Sequence, residues 1–471
     1  MARRKSKHDG SSDGDARFQK PAGAAGGPSG VAGEAPDDRG DAPAEAGVSG
    51  PKPGFSRRAF FGGAVASAAA GAAIGVTATG LSEQAANAQA GGQGSAAGTS
   101  TAAGETYPFY GEHQAGIQTP PQDHLVFMVF DVTTTSATEL QVMLAKWSAA
   151  IAQYTQGLAV GTVEPERELA VPGDTGEAAG MGANQLTVTV GFAPSMFDGR
   201  FGWAKYKPAV LNDLPAFASD ALTPEFTGGD ICVQACASDP QVAYHAIRNL
   251  ARMARTTATT RWTVQGFGRA SRSADQATPR NLMGFKDGTR NIVGDDEFAQ
   301  QVWVGADSDQ QWMTGGTYLV ARKIHMLIET WDTDYIGDQH AVFGRTKMEG
   351  APLSGAAEFD TPDFAATGAD GKSVIPANSH VALAAHENNG GTKILRRGYN
   401  FTDGIDSVGR LDAGLMFISF QHDPAQFIAL QQKLGSMDRL NEYIRHVGSG
   451  VFAVPPGLAA AGDYYGKALF A

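Results

Sequence analysis

Three short segments of this chain carry side chains of the types used in proton transfer, ligation and charge stabilisation. The first is Gly284-Phe285-Lys286-Asp287-Gly288-Thr289-Arg290-Asn291, a polar stretch bracketed by glycines. An aspartate between a lysine and a glycine is most often a turn residue, and a carboxylate is also a common acid/base group. The second is Ser379-His380-Val381-Ala382-Leu383-Ala384-Ala385-His386-Glu387. A histidine opening an apolar run is either a core residue with its ring nitrogens satisfied or a ligand. The third is Ile394-Leu395-Arg396-Arg397-Gly398-Tyr399-Asn400-Phe401. An arginine flanked by apolar residues needs an anionic partner if its neighbours are buried.

The elements that must position these segments are legible as alternating and helical patterns. Leu125–Val132, Leu186–Phe192, Asp230–Ala237 and Trp262–Gly268 read as strands. Ser136 and Thr138 precede a helix that runs past Trp147, and Ser238 and Asp239 cap another through Met253. The order is strand, helix, strand, strand, helix, strand, as in a ferredoxin-like unit. The second half repeats it: a strand at Gly316–Ile324, a short helix over Leu327–Tyr335, a short strand at His380–Ala384, a strand at Gly414–Gln421 and a helix from Pro424 to Leu434. The expected fold class is α+β, with two ferredoxin-like halves of antiparallel sheet covered by helices. Cys232 and Cys236 fall on one face of a strand, roughly 13 Å apart at ideal rise, too far for a disulfide. Both are expected to be buried free thiols.

Composition narrows the function. The chain has 471 residues, 37 Lys+Arg against 49 Asp+Glu, and a formal net charge of −12. An acidic balance argues against a nucleic-acid partner, which requires a basic face. Two cysteines exclude a disulfide scaffold and a four-cysteine metal site. Residues 1–54 are rich in Gly, Ala, Pro, Ser and Asp and read as a disordered extension. Residues 55–90 change character. Ser56-Arg57-Arg58-Ala59-Phe60-Phe61 leads into a small-residue apolar run, and Ala86-Asn87-Ala88 and Ala88-Gln89-Ala90 are small-x-small exits. That is the layout of a signal peptide, and the paired arginines make it resemble a twin-arginine (Tat) signal. A membrane anchor is the alternative, weakened by the Ala/Gly content of the run. The expectation is export through the Tat machinery to the periplasm or the exterior. Residues 91–110 read as a linker, 111–275 as the first half and 276–471 as the second.

Taken together, the three segments resemble the dye-decolourising (Dyp-type) haem peroxidases, specifically the exported deferrochelatase/peroxidase branch. The resemblance runs from about residue 110 to Ala471. It is carried by Gly284–Thr289, by His380 and by Leu395-Arg396-Arg397-Gly398-Tyr399. Phe343-Gly344-Arg345-Thr346-Lys347, Leu411–Leu415 and Phe420-Gln421-His422-Asp423 add to it. It implies one haem b per chain, bound mainly by the second half. His380 is then the proximal ligand of the iron, Asp287 the distal acid/base residue and Arg396 the distal arginine. The carboxylate type suits moving a proton between the oxygens of hydrogen peroxide, and the guanidinium type suits the charge that develops there. A free aspartate titrates near 3.9, which favours acidic working conditions.

The resemblance places Gly288, Thr289 and Arg290 against the cofactor, with Arg290 reaching a propionate. Ala385, His386 and Glu387 correspond to a segment bordering the haem, where relatives often have Asn-Pro-Arg; Arg345 is a substitute for that missing arginine. His386 competes with His380 as ligand, since strand parity puts both on one face. Asp412 and Asp423 are the candidate carboxylates behind the ligand histidine. Tyr399, Trp312 and Trp331 are candidate relays to surface-bound donors. The implied activity is peroxidase, with an aromatic donor. Removal of iron from haem, in the company of iron-uptake partners, is the second reading, and a non-catalytic haem carrier the third. Self-association into a homo-oligomer is also expected from the family.

Overall fold

A computed structural model describes residues 105–273 and 275–471. The extension 1–54, the signal 55–90 and the linker up to residue 104 lie outside the described residues.

Nine strands and seven α-helices make up the described chain. In the first half these are β1 (His124–Val132), α1 (Ala137–Tyr154), β2 (Thr187–Phe192), β3 (Ile231–Ala237), α2 (Pro240–Ala254) and β4 (Ala258–Arg269). Local chemistry starts both helices. The Ser136 hydroxyl accepts from the Glu139 amide at 3.3 Å, and the Asp239 carboxylate accepts from Gln241 at 2.7 Å ahead of Pro240. The second half holds α3 (Asp295–Gln301), β5 (Thr317–Met326), α4 (Ile328–Trp331), α5 (Ile336–Phe343), α6 (His380–Ala384), the two-residue β6 (Leu395–Arg396), β7 (Tyr399–Ile405), β8 (Leu411–Gln421), α7 (Pro424–Met437) and β9 (Ile444–Val454).

All strand pairs are antiparallel. The first half orders its strands β2-β3-β1-β4 and the second β9-β5-β8-β7, the same ferredoxin-like arrangement twice. Their edges meet: β2 pairs β9 through Phe192 and Ala453, and β4 pairs β7 through Phe267 with Asn400 and Arg269 with Tyr399. The result is one nine-stranded sheet in which β5, at one end of the order, also pairs β8, next to the last strand β6.

Side-chain parity divides the core into layers. In β3 every residue is buried. Ile231, Val233, Ala235 and Ala237 face the helical layer with Trp147, Leu144 and Leu250. Cys232 and Cys236 face inward and pack with Phe127, Trp262, Met416, Phe420 and Phe452, from both halves. Both thiols are free and buried, as the sequence led us to expect. A third cluster, with Met283, Phe285, Trp331, Phe343 and Tyr443, lies on the second half.

One element departs from the sequence reading. His380–Ala384 is not a strand but a short helix, α6, whose N-cap Ser379 accepts from the Ala382 amide at 3.4 Å. The parity argument that placed His380 and His386 on one strand face therefore does not apply.

Candidate active site

The site is assembled from a turn ending at Asp287, the short helix α6 and the two-residue strand β6. Pro279–Asp287 is a tight turn. Its ends are joined by Asn281 N–H to Phe285 O at 3.0 Å and Asp287 N–H to Pro279 O at 2.9 Å. The Asn281 side chain accepts from the Met283 and Phe285 amides inside it. Gly288 follows at φ +96°, and a Cβ there would press on the backbone of Ser271 and Arg272 at 3.1–3.2 Å. Only glycine fits that position comfortably.

Arg396 is locked to this loop across 105 residues of sequence. Asn291 donates to the Arg396 carbonyl at 2.8 Å and accepts from the Arg396 amide at 2.9 Å. The guanidinium Nη1 then donates to Asp287 Oδ1 at 2.5 Å. Asn291 stands in the polar stretch noted in the sequence, but its clamp on Arg396 was not foreseen; nothing in the local pattern signals a partner so distant.

His380 opens α6, and its Nδ1 lies 2.6 Å from Asp438 Oδ2. Asp438 terminates α7, is buried, and accepts from the Leu440 amide through its other oxygen. Neither carboxylate favoured from sequence plays this part. Asp412 lies 3.9 Å from His325, and Asp423 caps α7. His380 sits deep in the molecule, yet 34% of its side chain is bare because it borders a cavity. Burial pulls its pKa down, but Asp438 outweighs burial and the net shift is upward. Asp287 adds to the rise and Arg396 opposes it, so both act on His380 across the cavity. Among the described residues nothing hydrogen-bonds the His380 Nε2.

The cavity and its open mouth together enclose about 1790 Å³ of space between atoms. Met283, Phe285, Met326, Phe343, Leu415 and Phe417 give it apolar walls. Asp287, Gly288, Thr289, Arg290, His380, Ala385, His386 and Arg396 all border it; Glu387 does not, and instead pairs with Arg290 in a bidentate contact at 2.6 and 3.1 Å. Thr289 donates to Glu358 at 3.1 Å, and Lys286 donates to the same carboxylate at 2.6 Å. Burial would raise the Glu358 pKa, but the donors Lys286, Thr278 and Thr289 bring it below its usual range. His386 turns its Nδ1 toward Glu387 at 3.3 Å, and burial holds its pKa low against that carboxylate.

Arg345 is the unusual cation. It is 5% exposed and borders the cavity. Its Nη1 donates to the carbonyls of Gly350 and Glu358 at 2.6 and 2.9 Å. Among the described residues it has no acidic side chain within ion-pair distance. Burial, with the Arg290 charge, pushes its pKa down to about 10. A guanidinium on a cavity wall with no paired carboxylate has charge to offer an anion bound there. Of the candidate relays, Tyr399 and Trp331 are fully buried and Trp312 is half-buried; none borders the cavity.

Comparison with known proteins follows the same division of the chain. Residues 114–268 match a family model described as Dyp-type peroxidase, N-terminal, and residues 278–459 match one described as Dyp-type peroxidase, C-terminal. A deferrochelatase of Escherichia coli strain K12 is 37% identical over 374 residues, 78% of this chain and 87% of that protein. Ferric DtpA from Streptomyces lividans superimposes with a TM-score of 0.72 at 38% identity, covering 80% of this chain and all of that one. A DyP-type peroxidase from Cellulomonas bogoriensis gives 0.70 at 37% identity, covering 78% and 99%.

Proposed function

Since this chain belongs to the Dyp-type peroxidase family, we propose that it is a haem b-dependent peroxidase that reduces hydrogen peroxide and takes single electrons from aromatic donors. The observation that carries the reading is the Asp287–Arg396 pair acting on His380 across a large apolar cavity. A haem carrier would need the histidine but has no use for the pair.

The residues fit one haem. His380 offers a free Nε2 to the iron, with Asp438 fixing the opposite nitrogen and the ring orientation. Arg345 offers an unmatched buried charge to a propionate. Arg290 can do the same only in competition with Glu387. Gly288 borders the same cavity and would add no side chain to crowd the group there.

When bound, haem supplies a redox-active iron that peroxide oxidises and donors reduce. The chain supplies the proton handling. Asp287 takes a proton from one oxygen of hydrogen peroxide and returns it to the other. Arg396 stays bonded to Asp287 Oδ1, which leaves Oδ2 as the proton-carrying atom. The same guanidinium stabilises the charge on the departing oxygen.

A second reading is favoured by the 37% identity to a protein named deferrochelatase: release of iron from haem with the porphyrin intact. The test covers both. Holoprotein, His380→Ala and Arg396→Leu are compared by visible spectrum and by peroxide-dependent dye bleaching at mildly acidic pH. The expected result is a Soret band lost in His380→Ala, and bleaching lost in Arg396→Leu with haem retained. Haem binding without bleaching, accompanied by free-porphyrin fluorescence, would establish the chelatase instead.

We read residues 55–90 as a Tat signal and place the mature protein outside the cytoplasm; support for this is the Arg57-Arg58 pair with its apolar run and small-residue exits.

A further inference from the structure

Asp287 is held through its chain neighbours as well as by Arg396. Lys286 precedes it, Thr289 follows two residues later, and both turn their side chains onto one carboxylate, that of Glu358. Lys286 Nζ donates to Glu358 Oε2 at 2.6 Å, and Thr289 Oγ1 donates to Oε1 at 3.1 Å. Thr278, just ahead of the Pro279–Asp287 turn, also donates to Oε1. A single side chain thus ties the start of the turn to both flanks of Asp287. Against the pull of burial, these donors keep the Glu358 carboxylate ionised at mildly acidic pH.

Both flanks need holding. Gly288, at φ +96°, has no side chain of its own to fix the backbone beyond Asp287, and the Thr289 bond supplies that anchor. On the other flank the Lys286 ammonium is a second cation beside Asp287. Glu358 takes up that charge, and the Asp287 carboxylate is left to Arg396. Among the described residues that line the cavity, Lys286, Asp287 and Thr289 are present and Glu358 is not, so Glu358 acts only through them.

The Glu358 backbone has a separate partner. Its carbonyl accepts from Arg345 Nη1 at 2.9 Å, and the same nitrogen donates to the Gly350 carbonyl at 2.6 Å. Gly350 in turn lies against the Lys286 stem, where a Cβ would meet Lys286 Cδ at 2.7 Å. The next residue, Phe359, has the Arg272 guanidinium 5.0 Å from its ring centre, and the Arg272 backbone is one wall against Gly288. Arg345 and the loop that carries Asp287 therefore meet at one residue.

We propose that Glu358 is the positioning residue of Asp287: its side chain fixes Lys286 and Thr289 so that Asp287 keeps Oδ1 on Arg396 and Oδ2 free for the proton, while its backbone ties this arrangement to Arg345 and the propionate seat. The proposal deepens the peroxidase reading and rests on it.

Two variants test it. Glu358→Ala removes all three side-chain contacts. Glu358→Gln keeps the volume and an acceptor oxygen for the two threonines but loses the ion pair with Lys286. Each is measured as ferric holoprotein for haem content, Soret band and second-order rate with hydrogen peroxide, alone and combined with Asp287→Asn. Haem content and Soret band should match wild type, because Arg345 bonds the Glu358 backbone, which both substitutions retain. Glu358→Ala should lower the peroxide rate by about 10–100-fold, the size of effect that a displacement of ~1 Å at a reacting group can have. Glu358→Gln should lose less. In the Asp287→Asn background either substitution should cost less than about twofold, since effects that pass through one residue do not add. Equal losses in the two backgrounds, or a wild-type rate in both variants, would overturn the proposal. Should Glu358→Ala fail to fold, Glu358→Gln carries the test. A crystal structure of the Glu358→Gln holoprotein keeps the two readings apart: Asp287 should leave Arg396 or turn to Lys286. If it does so while Asp287→Asn reacts with peroxide as fast as wild type, the peroxidase reading falls and the positioning role stands.

Discussion

The Nδ1 of His380 and the Oδ2 of Asp438 are 2.6 Å apart, joining the first residue of α6 to the residue that ends α7. The contact holds the imidazole with its other nitrogen toward the cavity and keeps electron density on the ring. Asp438→Asn preserves the shape and removes the charge. It should accelerate loss of haem to a competing apoprotein by roughly 10–100-fold, with the Soret band weakened or shifted. A haem-loss rate equal to wild type would remove Asp438 from the ligand assembly.

Asp287→Asn tests the proton carrier separately from its arginine. An amide still accepts from Arg396 Nη1 through its oxygen but cannot take up a proton. The second-order rate with hydrogen peroxide should fall by about 10²–10⁴-fold, the usual span for losing a general acid/base. Haem content should be normal. Stopped-flow spectroscopy at a fixed pH reads both quantities.

Arg345→Met should reveal the anion that Arg345 awaits. In the haem-free protein the guanidinium is buried without an acidic partner. The substitution leaves the Gly350 and Glu358 carbonyls short of a donor, at a cost of about 1–3 kcal/mol. The haem-bound protein should lose that and the propionate contact as well. The gain in Tm on adding haem to the apoprotein should therefore shrink in Arg345→Met. An unchanged gain would place the propionates elsewhere.

Acid stability should depend on Asp174, far from the cavity. It is buried, bonded to His245 Nε2 at 2.7 Å and to the Val160 and Gly176 amides. Burial alone would raise its pKa, but these donors bring it below the ordinary value. A carboxyl with a depressed folded pKa stabilises the fold above its unfolded pKa of about 3.9, and that stability is lost as pH falls through the folded value. Asp174→Asn should thus be destabilised at neutral pH, and the gap to wild type should narrow below about pH 4. Urea unfolding at a series of pH values measures the gap directly.

Much of the fold was legible because the first half follows simple rules. Each strand from β1 to β4 is a run of apolar or alternating residues, and Ser136 and Asp239 announce the helices. The second half was harder. Ile444–Val454 carries Gly448 and Gly450, and β9 escaped notice because its strand character comes from pairing with β5. His380–Ala384 is too short for periodicity to decide between helix and strand, although Ser379 was available as a cap signal. Within the site, residue types identified Asp287, His380 and Arg396 as a set through family resemblance. Their supports, Asp438 and Asn291, act over 58 and 105 residues, and such pairings have no local signature.

The paired edges of the two halves also constrain the order in which the molecule can be completed. The inner face of β3, with Cys232 and Cys236, is covered by Met416, Phe420 and Phe452 from the far end of the chain. During synthesis the first half therefore emerges with one apolar surface uncovered and the β2 and β4 edges unpaired. That arrangement is prone to aggregation until β7 and β9 arrive. Closure waits for Ile444–Val454 to leave the ribosome. A fragment ending after β4 should then be a client for holding chaperones, and any export of this protein in a compact state must follow release of the finished chain.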